Sequence, residues 1–384
     1  MTDTITAGDA RALARALVRI DSRNPTLVRD APGEQACAVY LRDVLDAWGF
    51  RTELHEAAPG RPNLVARIGS GSGRSLMFNG HLDVVGTEGM IHSPFVPDER
   101  DGRLYGRGSA DMKGGIAAMC AAAWRAAQQD VGGEIIIAAV ADEEYDSIGT
   151  KALLARSVRA DAAVVTEPTR LAIMPAHRGF VWLEVEVIGR AAHGSRWDIG
   201  VDAIRHAGLL LAELDRIDAE ELPRLTHPLL GRGSLHASMI EGGIGMSTYP
   251  DRCVLKLERR TIPSELTAHI VAEVERACTA VRARRPSFAA SVKLLVTQGP
   301  SDVAVDSPLV RGLAQAIESS GDSTRVEGMS AWTDAALLND AGIPAVCYGP
   351  GDISLAHAAE EYIPLSEIDR ATDVLESFAL TWCS

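Results

Sequence analysis

Hydrophobic positions recur at helical spacing over residues 9–20 and again over 34–48, the second stretch stopping at Gly49. Short strand-like runs follow at Asn63–Ile68 and Ser75–Asn79, then an Ala-rich helix after Lys113 and the wholly apolar run Ile135–Val140. An unbroken apolar run of that length between turn signals suits a strand covered on both faces, as in an α/β sheet. From Phe180 the pattern changes. Val181–Val187 alternates like a strand with one solvated face, and Val201–Ile217 reads as an amphipathic helix. Strands at Ser234–Ile240 and Cys253–Arg259, a helix from Glu265 to about Arg284 and a strand at Ala290–Val296 complete the order β-α-β-β-α-β of a split βαβ, ferredoxin-like unit. After Gln298 helices and short apolar strands such as Ala345–Tyr348 return, as though completing the first sheet. The pattern predicts an α/β domain over 1–178 and 291–384, interrupted by an α+β insertion over 179–290.

Composition narrows the function classes. The 384 residues carry 38 Lys+Arg against 52 Asp+Glu, a formal charge of −14, and 46% of them are hydrophobic, which describes a globular protein with ample core. At roughly 150 residues per domain the length allows about two or three domains. The acidic balance and the absence of a Lys/Arg-rich run argue against nucleic acid or an anionic membrane surface as partner. Apolar stretches are far shorter than the roughly 20 residues of a membrane span. Arg11, Arg15 and Arg19 interrupt the first helix where a secretory segment would need an apolar run. Six scattered cysteines without C-x-x-C spacing read as reduced thiols, so a cytoplasmic location is expected.

Phosphate-loop, nucleophile-elbow and dinucleotide motifs are missing. What remains is a series of His and carboxylate residues placed just beyond strand ends, where open α/β sheets bind ligands. In His81-Leu82-Asp83 residues two apart share a side, so Asp83 can hold the His81 imidazole in one tautomer while its other nitrogen meets a metal; a turn-capping pair is the simpler alternative. Asp111 lies in the Gly- and Ala-rich stretch Gly106–Gly115 before a helix, and could equally be its N-cap. Asp142-Glu143-Glu144 ends the buried strand. Unless that loop is fully solvated, three adjacent acids need a cation or protons, and neighbouring carboxylates can divide metal binding from proton transfer. Glu167 ends the run Ala162–Val165, and His357 follows the Gly-Pro-Gly turn at 349–351; either is unremarked as a single residue. Candidate ligands of N and O type without cysteine point to zinc, or to cobalt or manganese.

These motifs, taken in order from His81-Leu82-Asp83-Val84-Val85 to His357, resemble the M20 family of metallo-aminoacylases and peptidases, in particular its acetylornithine deacetylase and succinyl-diaminopimelate desuccinylase branch. The likeness runs from about Leu13 to Ile368. It implies a zinc-peptidase-like α/β/α catalytic domain with an inserted ferredoxin-like lid and dimerisation domain. It further implies two divalent metal ions, Zn2+ first and Co2+ or Mn2+ fitting the same donors. His81, Asp111 and Glu167 would serve one, and Asp111, Glu144 and His357 the other, with Asp111 bridging. Asp83 would orient His81, Glu143 would be general base, and a cis peptide would join Asp111 to Met112. In the insertion, His193 would reach a partner subunit's site to stabilise the oxyanion, making a homodimer. Arg260 would hold a substrate carboxylate, with Arg259 on the other face of its strand expected to be a surface charge. At Ser247 the family commonly has Asn, so the substrate contact there changes. Glu at position 167 is the deacetylase-type residue.

The expectation is thus a cytoplasmic metal-dependent amidohydrolase, a deacylase cleaving the amide of an N-acyl amino acid through a metal-bridging water. The alternatives are a dipeptidase or carboxypeptidase of the same family, and a catalytically silent binding protein on the same fold. The implied partners are a small N-acyl amino acid or dipeptide and a second copy of the chain.

Overall fold

The computed structural model describes residues 5–129 and 131–384. The chain separates into two units: residues 1–175, 303–327 and 333–384 form the first, and 176–302 with 328–332 the second. Walking into the first unit, α1 (Ala10–Val18) is capped by the Asp9 side chain, which accepts from the Ala12 amide. Then come α2 (Gln35–Ala47), β1 (Arg51–Ala58), β2 (Arg61–Gly69) and β3 (Leu76–His81). The short pair β4 (Asp98–Arg100) and β5 (Arg103–Tyr105) precedes α3 (Gly114–Ala127), β6 (Glu134–Val140), α4 (Ile148–Ala155), β7 (Ala162–Val165) and β8 (Ile173–His177).

The second unit holds β9 (Gly179–Ile188), α5 (Ala203–Arg216), the small pair β10 (Thr226–His227) and β11 (Gly231–Arg232), and β12 (Ser234–Gly242). It continues through β13 (Arg252–Thr261), α6 (Thr267–Arg284), β14 (Ala289–Gln298) and β15 (Ser301–Asp302). The chain then returns through α7 (Pro308–Ser319), β16 (Val326–Met329), α8 (Ala335–Asp340), β17 (Ala345–Cys347), β18 (Tyr362–Pro364) and α9 (Leu365–Trp382). Among the described residues no helix is long and apolar enough to cross a membrane.

In the first unit the sheet runs β1-β2-β6-β3-β7-β17-β8. Its centre, β6-β3-β7-β17, is parallel, so the ends of four strands open at one edge, as ligand-binding α/β sheets require. β1, β2 and β8 join it antiparallel. The apolar run of β6 behaves as its composition predicts. Ile135, Ile137 and Ala139 enter the core built with α1, α3 and α9, while Ile136, Ala138 and Val140 are equally buried on the face where α4 and α8 pack together. Helices on both faces of a mostly parallel sheet make the α/β/α architecture.

In the second unit the sheet order is β12-β13-β9-β14, with every neighbour antiparallel, the ferredoxin-like arrangement of the β-α-β-β-α-β order. Alternate residues Val181, Leu183, Val185 and Val187 meet α5 and α6 in one core. The expected boundary at 290/291 falls inside β14. That strand pairs with β9 along its length, so the change of unit comes at 302/303. Arg259 also departs from expectation. It does lie opposite Arg260 on its strand, but that side is covered by α6, and the guanidinium is 1% exposed, held by Glu265 and by Glu273 at 3.3 Å.

Candidate metal centre and active site

His81, Glu143, Glu144, Glu167 and His357 of the first unit's site come from the ends of parallel strands or the loops that follow them, and Asp111 from the turn before α3. His81 is the last residue of β3, and its Nε2 meets Asp111 Oδ1 at 2.9 Å. Asp111 comes from the turn before α3, where Gly108 takes φ +79°, a left-handed conformation suited to glycine. At Gly115 a Cβ would stand 2.0 Å from the Thr166 carbonyl oxygen. Only a glycine there lets the start of α3 approach the end of β7 and so brings Asp111 towards Glu167. The Asp111-Met112 peptide is cis. Asp111 does not cap α3, whose flanking residue Lys113 makes no side-chain cap either; instead its second oxygen, Oδ2, faces His357 Nε2 at 3.6 Å. One carboxylate thus lies between two imidazoles.

His357, reached from β17 through the 349–351 turn, also meets Glu144 at 3.0 Å. Glu143 and Glu167 close the other side, with oxygens 4.0 and 3.9 Å from His81 Nε2. The ligand atoms of His81, Asp111 and Glu144, and those of His81, Glu143 and Glu167, lie within 4.8 Å of one another. The site therefore gathers His81, Asp111, Glu143, Glu144, Glu167 and His357 in one place, and the Asp142–Glu144 turn is not a solvated loop: Asp142 is buried, and the Glu143 and Glu144 side chains are only 11% and 7% exposed.

Asp83 acts differently from expectation. The His81 Nδ1 bond goes to the main-chain carbonyl of Asp83 at 2.9 Å, with the carboxylate 3.7 Å off. The carboxylate accepts instead from the amides of Glu143 and Glu144, both at 3.2 Å. The carbonyl, two residues past the end of β3, takes the place expected for the side chain and serves the same purpose of fixing the ring.

Electrostatics match a cation site. Burial, reinforced by the charge of Glu167, holds the Glu143 carboxyl well above the usual carboxylate range. Burial and Asp111 do the same to Glu167, and burial raises Glu144. Burial alone would lower the His81 imidazole, but the hydrogen bond and charge of Asp111 outweigh it and raise it. His357 is pushed up to about 9, chiefly by its bond to Glu144. The three raised glutamates favour protons where cations would otherwise compensate their charge, while Asp111, set against His81, is shifted down despite its burial. Glu167 Oε1 is buried without a hydrogen-bond partner. An orphaned buried carboxylate oxygen among N and O donors fits a hard or borderline divalent ion.

Several residues of this site carried no signal that pattern reading could use. Glu361 is 1% exposed; its carboxylate accepts from the amides of Gly108, Ala110 and Asp111 at 3.0–3.2 Å and pairs with Arg107 at 2.7 Å. Asn24 donates to Asp83, and Asp334 accepts from Thr150 at 2.6 Å. A glutamate just before a short strand or an asparagine before a proline is ordinary in sequence. Only burial marks these as unusual.

The second unit carries the remaining predicted residues. His193 is exposed and sits where segment 192–194 pairs with 247–249: Gly194 N donates to Ser247 O at 2.7 Å, and Tyr249 N to Ala192 O at 2.8 Å. His193 and Ser247 are therefore neighbours. The His193 Nδ1 accepts from the Ser195 amide at 3.3 Å, which leaves the proton of a neutral ring on Nε2 as an outward donor. Arg260, on β13, stacks over Phe180 at 5.3 Å and donates through Nε to Glu258 at 2.6 Å.

The chain belongs to the peptidase family M20/M25/M40, which matches residues 77–381, and is a hydrolase of C–N bonds in linear amides. Among its relatives, an acetylornithine deacetylase of Myxococcus xanthus is 33% identical, over 90% of this chain and 91% of that one. An N-formyl-4-amino-5-aminomethyl-2-methylpyrimidine deformylase of Bacillus subtilis is 27% identical, over 97% and 94%. Of solved structures, aminopeptidase PepT of Bacillus cereus superposes with TM-score 0.81 at 20% identity, covering 100% of both chains. A Bacillus subtilis protein described as a dinuclear metal binding peptidase of the same family superposes with TM-score 0.75 at 15% identity, over 97% of each. These superpositions bear on the fold.

Proposed function

We propose that the protein is a two-metal deacylase that hydrolyses the amide of a small N-acyl amino acid to a carboxylate and a free amine. The observation that carries the reading is Asp111, one oxygen 2.9 Å from His81 and the other 3.6 Å from His357. His81, Asp111 and Glu167 would hold one ion, and Asp111, Glu144 and His357 the other, Zn2+ being the first choice and Co2+ or Mn2+ suiting the same donors. Divalent ions in that place lower the pKa of water and polarise a carbonyl. Glu143 is left for proton transfer: its carboxylate takes the proton of the attacking water and delivers it to the departing nitrogen, so that the C–N bond breaks with a neutral amine leaving. The buried position of Glu143, beside the charge of Glu167, raises its affinity for a proton, as suits a carboxylate that takes one up and hands it on.

The relatives favour acyl transfer to water: the named activities at 33% and 27% identity are removal of acetyl and formyl groups from amines. Arg260 would take the substrate carboxylate, with Ser247 beside His193 in place of the usual Asn. His193, presenting Nε2–H, would stabilise the oxyanion in a partner subunit's site. The proposed homodimer forms through the second unit, where β12 is an edge strand with Met239 61% and Ile240 57% exposed. A reducing, cytoplasmic setting accords with its six free thiols. The test is a panel of N-formyl, N-acetyl and N-succinyl amino acids beside dipeptides, assayed with Zn2+-, Co2+- or Mn2+-loaded protein. Acyl amino acids are expected to be turned over fastest; faster release of two amino acids from dipeptides would replace this reading by a dipeptidase.

A further inference from the structure

The Glu143–Glu144 turn rests on a buried hydrogen-bond network. Asp83 holds both of its amides, Oδ1 taking Glu143 N and Oδ2 taking Glu144 N. Asp142, at φ +68°, accepts through its carbonyl from Ser147 N at 2.6 Å and through Oδ2 from Asp146 N at 3.3 Å, closing the turn from below. These two carboxylates are 0% and 1% exposed and would repel each other. One nitrogen lies between them. Asn24 Nδ2 donates to Asp83 Oδ2 at 2.9 Å and to Asp142 Oδ1 at 3.0 Å, one hydrogen to each. Its orientation is set at the other end, where Asn24 Oδ1 accepts from Thr26 N at 2.9 Å. Arg61 braces Asp142 from the far side at 2.6 Å while its fork is occupied by Glu34.

Asn24 thus comes from neither strand end. It joins the second residue after β3 to the second residue after β6, from a segment near the start of the chain. We propose that Asn24, braced through Asp142 by Arg61, is a positioning residue that fixes the peptide units of Glu143 and Glu144, and with them the proton carrier and one ligand of the centre. The assignment of those two roles rests on the functional reading above; the clamp itself rests on the bonds just given. An apolar residue at 24 would leave two buried carboxylates facing each other without a shared donor. A lysine at 61 would keep the charge but could not pair Glu34 with a fork while reaching Asp142.

The test compares wild type, Asn24→Ala and Arg61→Lys in the full-length protein by three readouts. These are kcat and KM on the best substrate of the panel, Zn2+ affinity by chelator competition, and amide hydrogen exchange of the 141–147 peptide in metal-free protein. In Asn24→Ala, kcat is expected to fall about 10- to 100-fold with KM within about threefold, and Zn2+ affinity to fall by a similar factor. Exchange of 141–147 should quicken by roughly tenfold or more while peptides of α3 and β13 stay as they were, since the loss is local. Arg61→Lys should show the same pattern to a smaller extent. A folded Asn24→Ala with unchanged affinity and unchanged exchange would overturn the clamp, as would a change in KM alone. Should Asn24→Ala fail to fold, the same two null results in Arg61→Lys overturn it. A wild type that hydrolyses none of the panel overturns the functional reading instead, and the exchange measurement still decides the clamp.

Discussion

At Glu143 two roles compete for one carboxylate. Its oxygen stands 4.0 Å from His81 Nε2, near enough to share a cation with Glu167, yet the adjacent Glu144 already contacts His357. If Glu143 carries protons and its neighbours hold metal, Glu143→Gln keeps its shape and loses only the proton. That variant is expected to bind Zn2+ with wild-type stoichiometry, read by metal analysis after gel filtration, while kcat drops by about 10²- to 10⁴-fold. The same cluster makes the metal-free protein sensitive to alkali. Glu143, Glu144 and Glu167 are raised, by burial first, and His357 is raised to about 9, chiefly by Glu144. A group raised on folding binds its proton more tightly in the folded state, so it stabilises the fold below its unfolded pKa and that stabilisation is lost as pH climbs through the folded value. Asp111, lowered by its bond to His81, contributes in the opposite sense but only in the acid range. The melting temperature of chelator-treated protein is therefore expected to fall steadily between about pH 5 and pH 9, and Zn2+ should abolish most of that fall.

At the scale of the elements, what matters is which edges and faces are left without a partner. β12 pairs with β13 on one side alone within its sheet, and carries Met239 and Ile240 in exposed positions. Unpaired backbone beside apolar side chains is the kind of edge that a second chain covers. Replacing both by lysine should turn a dimer into a monomer, seen by sedimentation velocity at micromolar protein, with the far-ultraviolet spectrum unchanged because neither residue belongs to the α5–α6 core. An unaltered sedimentation coefficient would move the interface elsewhere. A different rule governs the other acid-holding element. The turn before α3 has its amides collected by buried Glu361, itself paired with Arg107, and breaking a buried ion pair of this kind costs about 3–5 kcal/mol. That is why this turn can carry Asp111 in a non-helical conformation directly ahead of a helix.

At the scale of the whole molecule, the proposed site is incomplete in one chain, because His193 belongs to the second unit and acts, on our reading, in the partner. The prediction is specific. His193→Ala and Glu143→Gln should each be nearly inactive alone, yet mixing equal amounts under exchange conditions should restore about a quarter of wild-type activity, since half the dimers are mixed and each has one intact site. No recovery after demonstrated subunit exchange would remove His193 from the partner's site.

Much of this was legible in the chain. Periodicity located many of the strands and helices of both units because burial on one or two faces leaves a direct mark on residue type: the all-apolar β6 and the alternating β9 are examples, while β1, β8 and α4 are not among the elements it predicted. His81, Glu143, Glu144 and Glu167 were legible because each follows an apolar strand, a local signature, whereas Asp111 and His357 stood out only through the order of motifs shared with the family. Local pattern also suggested that Arg259 faces away from Arg260, but not that α6 covers that face. Nor could it show that Asp83 turns its carbonyl to His81 and its carboxylate to the next strand's turn, or that Asn24, Arg61 and Glu361 reach the site from distant segments. Hydrogen bonds between groups far apart in sequence impose no spacing on either. The sequence by itself determined the elements and the chemistry available at their ends; the tertiary structure alone decided which buried carboxylate faces which donor, since that depends on where separate segments meet.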